Sequence, residues 1–308
     1  MATYLELYHN GKLAERVEAA NNLLKNCQVC PRHCGINRLA EETGECHTGK
    51  LAVVSSYGPH FGEESPLVGK HGSGTIFFTN CNLKCLFCQN YSISQLGDGT
   101  EVTDEELARM MLALQSKGCH NINLVSPTHV VPQILKGLEV AINQGLRLPL
   151  VYNSGGYDPA ETLKILDGII DIYMPDMKYS DERTAEELSG IKSYPTINQA
   201  AIKEMHRQVG DLKTDEDGIA IRGLLIRHLV LPHGLAGTKE TMKFIAEDIS
   251  PNSYVNVMAQ YHPCHKAFQI PKLARPLSRQ EFIEAIELAK RAGLNRLDRL
   301  EPIAARAI

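Results

Sequence analysis

The stretch Gly72-Ser73-Gly74-Thr75-Ile76-Phe77-Phe78-Thr79-Asn80-Cys81-Asn82-Leu83-Lys84-Cys85-Leu86-Phe87-Cys88 carries two signals in direct succession. Thr75 to Thr79 is rich in β-branched and aromatic residues, the composition of a strand, and a C-x3-C-x2-C triplet follows it at once. Three thiolates so close together can share one compact metal cluster. A [4Fe-4S] cubane is ordinarily held by four cysteines, so a cubane held by Cys81, Cys85 and Cys88 keeps one iron open. An open coordination position separates a catalytic metal site from a structural one. A loop at the C-terminal end of a barrel strand is also where βα barrels carry their active sites.

Outward from the triplet, short β-rich runs alternate with helical segments, the pattern of βα units around a parallel sheet. Strands are expected at 75–79, 121–125, 148–152, 170–175, 224–231 and 254–259. Six such strands predict an α/β fold, a partial (β/α)6 TIM-like barrel with an N-terminal cysteine-rich metal-binding extension. The expected division is 1–70 for the extension, 71–270 for the barrel and 271–308 for a C-terminal helix packing on it. Thr103 with Glu106 and Ser278 with Glu281 each read as a capping box, and Asp158-Pro159 as an N-cap before a first-turn proline. Phe282, Ile283, Ile286 and Ala289 form the expected apolar face of the last helix. Residues 180–223 are longer than a simple connection and read as a lid or as one crossover helix.

With 308 residues, 43% hydrophobic and 22% charged, the chain can bury a full core. A net charge of −4 and dispersed lysines and arginines give no footprint for nucleic acid. The N-terminus lacks a basic start followed by an apolar core, and no run is long enough to span a bilayer. The expected location is cytoplasmic, with no membrane partner. Nine cysteines, an odd number bunched at short spacings, read as metal ligands in a reducing compartment rather than as disulfides.

Upstream, Cys27, Cys30, Cys34 and Cys46 form C-x2-C-x3-C-x11-C. Four thiolates close a coordination sphere, which suits structural zinc or a second, fully ligated iron–sulfur cluster. Spacing does not choose between them. His33 and His47 lie nearby but are not needed beside four cysteines.

The triplet, with an aromatic residue just before its third cysteine, resembles the signature of the radical S-adenosylmethionine (SAM) superfamily. The stretch from Gly72 to Ser94 and the Cys-x-x-Cys-Pro-Arg-x-Cys around Cys27 to Cys34 resemble its PflX-like branch, related to pyruvate formate-lyase activating enzymes. The resemblance implies an enzyme that reductively cleaves SAM at a [4Fe-4S] cluster to a 5′-deoxyadenosyl radical and abstracts hydrogen from a substrate. The nearest analogy for the target is a glycyl-radical partner protein. It also implies an electron donor such as flavodoxin or ferredoxin. Residue by residue, it points to Ser126 and Thr128 after the second strand, with His129 either beside them or a plain loop histidine. Asn153 and Ser154 follow at the third strand end, and Asp176 with Lys178 at the fourth. Arg227 lies in the fifth strand, and His262 follows the sixth. Phe87 is expected to flank the adenine, while Lys84 points to solvent. The alternative from another class is a non-catalytic iron–sulfur or zinc protein with a structural or electron-transfer role.

Overall fold

The computed structural model describes residues 2–298. Met1 of the expected extension and residues 299–308 of the expected C-terminal segment lie outside the described residues. Ten strands are present among those described: β1 (Ala52–His60), β2 (Ser73–Phe78), β3 (Thr100–Val102), β4 (Ile122–Val125), β5 (Leu150–Ser154), β6 (Ile172–Pro175), β7 (Lys213–Thr214), β8 (Ala220–Leu229), β9 (Tyr254–Met258) and β10 (Arg296–Leu297). The sheet order is β10-β9-β8-β6-β5-β4-β2-β1-β3, with β7 paired to β8. The run from β2 to β9 is parallel throughout. These six strands are the six read from the sequence. The architecture is a mixed α/β fold with a mostly parallel sheet, consistent with a partial barrel.

The differences have local causes. β5 starts at Leu150 rather than 148 because Pro149 has no N–H for the ladder and only lends its carbonyl, to Ile122. β6 starts at Ile172, just after Asp171, whose side chain accepts from the backbone N–H groups of Thr3 and Leu150 and ties the first helix and β5 to this corner. The interval 180–223 is not a single helix: it holds helices Glu182–Ser189 and Tyr194–Val209 and then the β7–β8 hairpin, whose turn residues Asp217, Gly218 and Ile219 line the cavity described below. β1 pairs antiparallel with β2, and β3 with β1, extending the sheet beyond the six strands read from the sequence.

Both capping boxes form, at Thr103 with Glu106 and at Ser278 with Glu281. Asp158 does not cap the helix Ala160–Ile165. Its carboxylate is buried and accepts from three hydroxyls, those of Thr128 at 2.7 Å, Tyr152 at 2.9 Å and Ser154 at 2.7 Å. In helix Arg279–Arg291, Phe282, Ala285, Ile286 and Ala289 are buried, while Ile283 faces solvent. Ile283 directly follows Phe282, about 100° around the helix, and falls outside the core stripe. No described helix is long and apolar enough to cross a membrane.

Candidate active site

Parallel pairing puts partnered residues on one face of a sheet, and successive residues on opposite faces. The registers Phe77↔Val125↔Asn153 and Asp176↔Arg227↔Asn256 each lie on one level, and Met174, the partner of Asn153, is two residues before Asp176, so all six residues face the same side near the C-terminal ends of the strands. All six residues line one cavity of about 890 Å3, and Cys81, Cys85 and Cys88 line the same cavity. The triplet loop is held from outside. The Lys84 and Leu86 amides donate to the carbonyls of Ser189 and Leu188, Asn82 Nδ2 donates to the Tyr157 carbonyl, and Lys266 N donates to the Leu86 carbonyl.

Each triplet sulfur has a polar neighbour: the Leu83 N–H at 3.4 Å from Cys81, the Ser189 hydroxyl at 3.0 Å from Cys85 and the Ser94 hydroxyl at 3.2 Å from Cys88. Such hydrogen bonds help to set the potential of a thiolate-bound cluster. Burial pushes the Cys81 thiol up to about 12 and raises Cys85, so these groups are protonated until a cation draws the proton off.

The charged part of the layer is compact. Arg227 Nε donates to Asp176 Oδ1 at 2.8 Å and Nη2 donates to Asn153 Oδ1 at 2.7 Å. Lys178 Nζ donates to the other oxygen of Asp176. Burial works against ionising Asp176, but Arg227 and Lys178 outweigh it and hold the carboxyl below its usual range. Burial also opposes the charge on Lys178, and Asp176 with Cys85 overcomes it. The result is two cations sharing one carboxylate beside three cysteines. Glu64 closes the far side, accepting from Asn256 Nδ2 at 2.9 Å and lying 3.9 Å from Arg227. It is 5% exposed, and burial raises its carboxyl.

The other expected residues are distributed differently. Ser126 lines the cavity at φ +58°. Ser154 also lines the cavity, but its hydroxyl, like that of Thr128, donates to Asp158. His262 is exposed at the rim, with Nδ1 3.2 Å from the Gln89 amide and from the Gln260 carbonyl oxygen. Phe87 is buried edge-on against Tyr179 and Tyr261 and does not line the cavity. Lys84 pairs with Glu45 at the surface.

Glu64 and Asn256 are the site residues that the sequence did not reveal. Asn256 was accessible to alternation along β9. Glu64 was not, because it stands between β1 and β2, outside the repeating βα units.

The upstream cysteines also come together. Cys27, Cys30, Cys34 and Cys46 line one void of about 10 Å3 with Arg38 and His129. Burial pushes the Cys30 thiol up to about 12. Among the described residues, no group of three or more His, Cys, Asp or Glu side chains is placed to hold a metal ion as the side chains stand.

Residues 75–211, from β2 to the end of the α-helical insert, match the model of the radical SAM superfamily. The chain belongs to the radical SAM superfamily. An uncharacterized protein of Methanocaldococcus jannaschii is 34% identical over 301 residues, covering 94% of this chain and 82% of the relative. Among solved structures, a radical SAM methyltransferase from Sphaerobacter thermophilus superposes with a TM-score of 0.51 at 13% identity. That match covers 73% of this chain and 66% of the methyltransferase. SuiB of Streptococcus suis, solved with its precursor peptide, superposes with a TM-score of 0.48 at 15% identity over 70% of this chain and 46% of that one. The chain thus spans less than two thirds of either solved structure. A [4Fe-4S] cluster and SAM are implied by the superfamily as a whole.

Proposed function

We propose that the chain is a radical SAM enzyme whose cluster is held by Cys81, Cys85 and Cys88 and whose SAM lies across the Asn153-Asp176-Arg227 layer. The supporting observation is that the three cysteines and this charged layer line one cavity. The donor set fits: three thiols offer a cubane one ligand too few, and two cations stand beside them. When bound, the cluster and SAM supply reductive cleavage of the sulfonium to a 5′-deoxyadenosyl radical, which takes hydrogen from the substrate.

The protein's part is binding, orientation and exclusion of water. Lys178 and Arg227 are the cations for the SAM carboxylate, and Asp176 fixes both. The Asn153 carbonyl oxygen is occupied by Arg227, which leaves its amide N–H groups free to donate. Ser126 offers its hydroxyl from the next strand end. His262 serves from the rim through its contacts to Gln89 and the Gln260 backbone. Thr128 and Ser154 act through Asp158. Activation of a glycyl-radical partner rests only on the resemblance of residues 72–94 and 27–34, and hydrogen abstraction from an unassigned substrate is the broader reading retained.

Anaerobic reconstitution with iron and sulfide, then dithionite and SAM, tests the proposal. The expected product is 5′-deoxyadenosine, with a change in the EPR spectrum of the reduced cluster on adding SAM. An intact reduced cluster at the triplet that neither responds to SAM nor yields 5′-deoxyadenosine returns the chain to the electron-transfer reading.

A further inference from the structure

The void ringed by the four upstream cysteines holds two side chains whose polar atoms are left without partners. Arg38 is 1% exposed and donates to the carbonyls of Gly49 at 2.9 Å and His129 at 2.7 Å, while its Nη2 has no acceptor. No carboxylate lies within ion-pair distance of it among the described residues. A buried guanidinium stays charged, and an uncompensated buried charge is costly. No acidic side chain balances it.

His129 is also 1% exposed. Its Nε2 stands 2.9 Å from the Thr79 carbonyl oxygen. A carbonyl only accepts, so Nε2 carries the hydrogen, and Nδ1 of the neutral ring is a bare lone pair. That Nδ1 is buried and has no partner, and the residue lines the cysteine void. A histidine that donates one ring N–H to a backbone carbonyl and keeps its other nitrogen free has the usual form of a metal-bound imidazole. A buried lone pair with no donor is left unsatisfied, and a cation in the void would satisfy it.

We infer that this void takes a single thiophilic divalent ion of the zinc class, with His129 Nδ1 as one of its ligands beside the upstream cysteines. The size agrees, since about 10 Å3 of free space is roughly one water-sized sphere. So does the charge. A divalent ion with three thiolates and a neutral imidazole leaves one net negative charge, and Arg38 cancels it. A tetrathiolate site would leave an excess negative charge in the same buried place. The side chains close on the ion as the thiols lose their protons. Gly44 has the closeness such a site needs, since a Cβ there would lie 2.8 Å from Cys34 Sγ.

The consequence reaches the triplet. Thr79 directly follows β2 and precedes Cys81 by two residues, so the imidazole ties the ion to the base of the loop. Arg32, between Cys30 and Cys34, makes a second tie. Its Nε donates to the Asn82 carbonyl at 3.0 Å and its Nη1 donates to the Gly190 carbonyl at 2.8 Å. The extension is a metal-set brace for the loop that holds the first cluster.

The test uses the full chain with Cys81, Cys85 and Cys88 all changed to Ala, so that only the upstream site remains. Elemental analysis should find one zinc per chain and little iron. After exchange to Co(II), sulfur-to-cobalt absorption bands should appear, and pulsed EPR should show imidazole nitrogen coupling that changes on labelling histidine with 15N. His129→Gln should abolish that coupling and release the ion to a chelator about tenfold faster or more. No retained metal, about four irons per chain, or cobalt bound by sulfur without nitrogen coupling each overturns the inference. Because the coupling is read in the parent protein, the result stands even if the His129→Gln chain folds poorly.

Discussion

Two groups of cysteines sit on either side of one loop, and their surroundings differ in kind. Cys81, Cys85 and Cys88 face about 890 Å3 of space together with Asp176, Lys178 and Arg227. Cys27, Cys30, Cys34 and Cys46 face about 10 Å3 with Arg38 and His129. The first group has room for a substrate-sized partner and charges to hold it. The second has room for little more than an ion, and one cation without an acid. A shared residue type therefore says little about role; free volume and the balance of charge around the sulfurs separate the two.

The largest expected effect comes from collapsing that difference at the open site. Cys85→Ala removes a cluster ligand, and 5′-deoxyadenosine formation should fall to the level of a cluster-free control, with loss of the SAM-dependent EPR change. Zinc content should not move. Normal SAM cleavage by this variant would mean the two groups have been assigned the wrong way round.

Arg227→Met breaks the charge balance instead of the cluster. It leaves Asp176 buried with Lys178 alone and strands the Asn153 carbonyl oxygen. Removing one member of a buried ion pair costs about 3 kcal/mol, so a lower urea midpoint is expected, with weaker SAM binding in equilibrium dialysis and iron content near that of the parent. Arg227→Lys should not rescue it, since an ammonium cannot span both acceptors in the plane of the guanidinium. Gly156→Ala attacks the same layer from behind: a Cβ there would lie 2.1 Å from the Asp176 carbonyl, at a φ of +72°. The expected loss is about 1–3 kcal/mol, again with weaker SAM binding.

The parts of this arrangement that were legible in the sequence are those with local rules. The six parallel strands followed from β-rich runs and punctuation, and the triplet from its spacing at a strand end. Asp176 and Lys178 fall two residues apart, so alternation puts them together. The β1–β2 antiparallel pair and Glu64 had no local signal, because they depend on which edge of the sheet the extension meets. The partner of the Ser154 and Thr128 hydroxyls, Asp158, was hidden for a different reason. A hydroxyl at a strand end reads the same whether it faces the cavity or a buried carboxylate, and only Asp158 in its final position decides. His129 is the sharpest case, since its ring meets the Thr79 carbonyl and lines the void of the upstream cysteines, segments that no periodicity relates.

A smaller effect tests the neighbour of Arg227. Burial pulls His228 down to about 4, with Nδ1–H donated to the Met177 carbonyl at 2.7 Å and Nε2 accepting from the Thr238 hydroxyl at 2.9 Å. The unfolded chain takes up a proton near pH 6.5, whereas the folded chain resists until about 4. The contribution is complete above pH 6.5 and is lost as pH falls through that window, by about 1.4 kcal/mol at pH 5.5. In apo protein, His228→Gln should flatten the difference in urea midpoint between pH 7.5 and pH 5.5. Other titrating groups act on both proteins alike, so the gap between them isolates this residue.

The smallest effect belongs to the contact that joins the two cysteine regions at the surface. Lys84, inside the triplet, reaches Glu45, next to Cys46, at 2.7 Å, and the two side chains are 42% and 54% exposed. Solvent and salt screen such a pair to at most about 1 kcal/mol. Lys84→Ala should leave metal content, SAM binding and cleavage close to those of the parent, while Arg32→Ala, which removes the hydrogen bonds to the Asn82 and Gly190 carbonyls, should lower iron occupancy at the triplet. If Lys84→Ala instead impairs the cluster as Arg32→Ala does, the brace runs through surface charge, and the backbone ties from Arg32 and His129 are secondary.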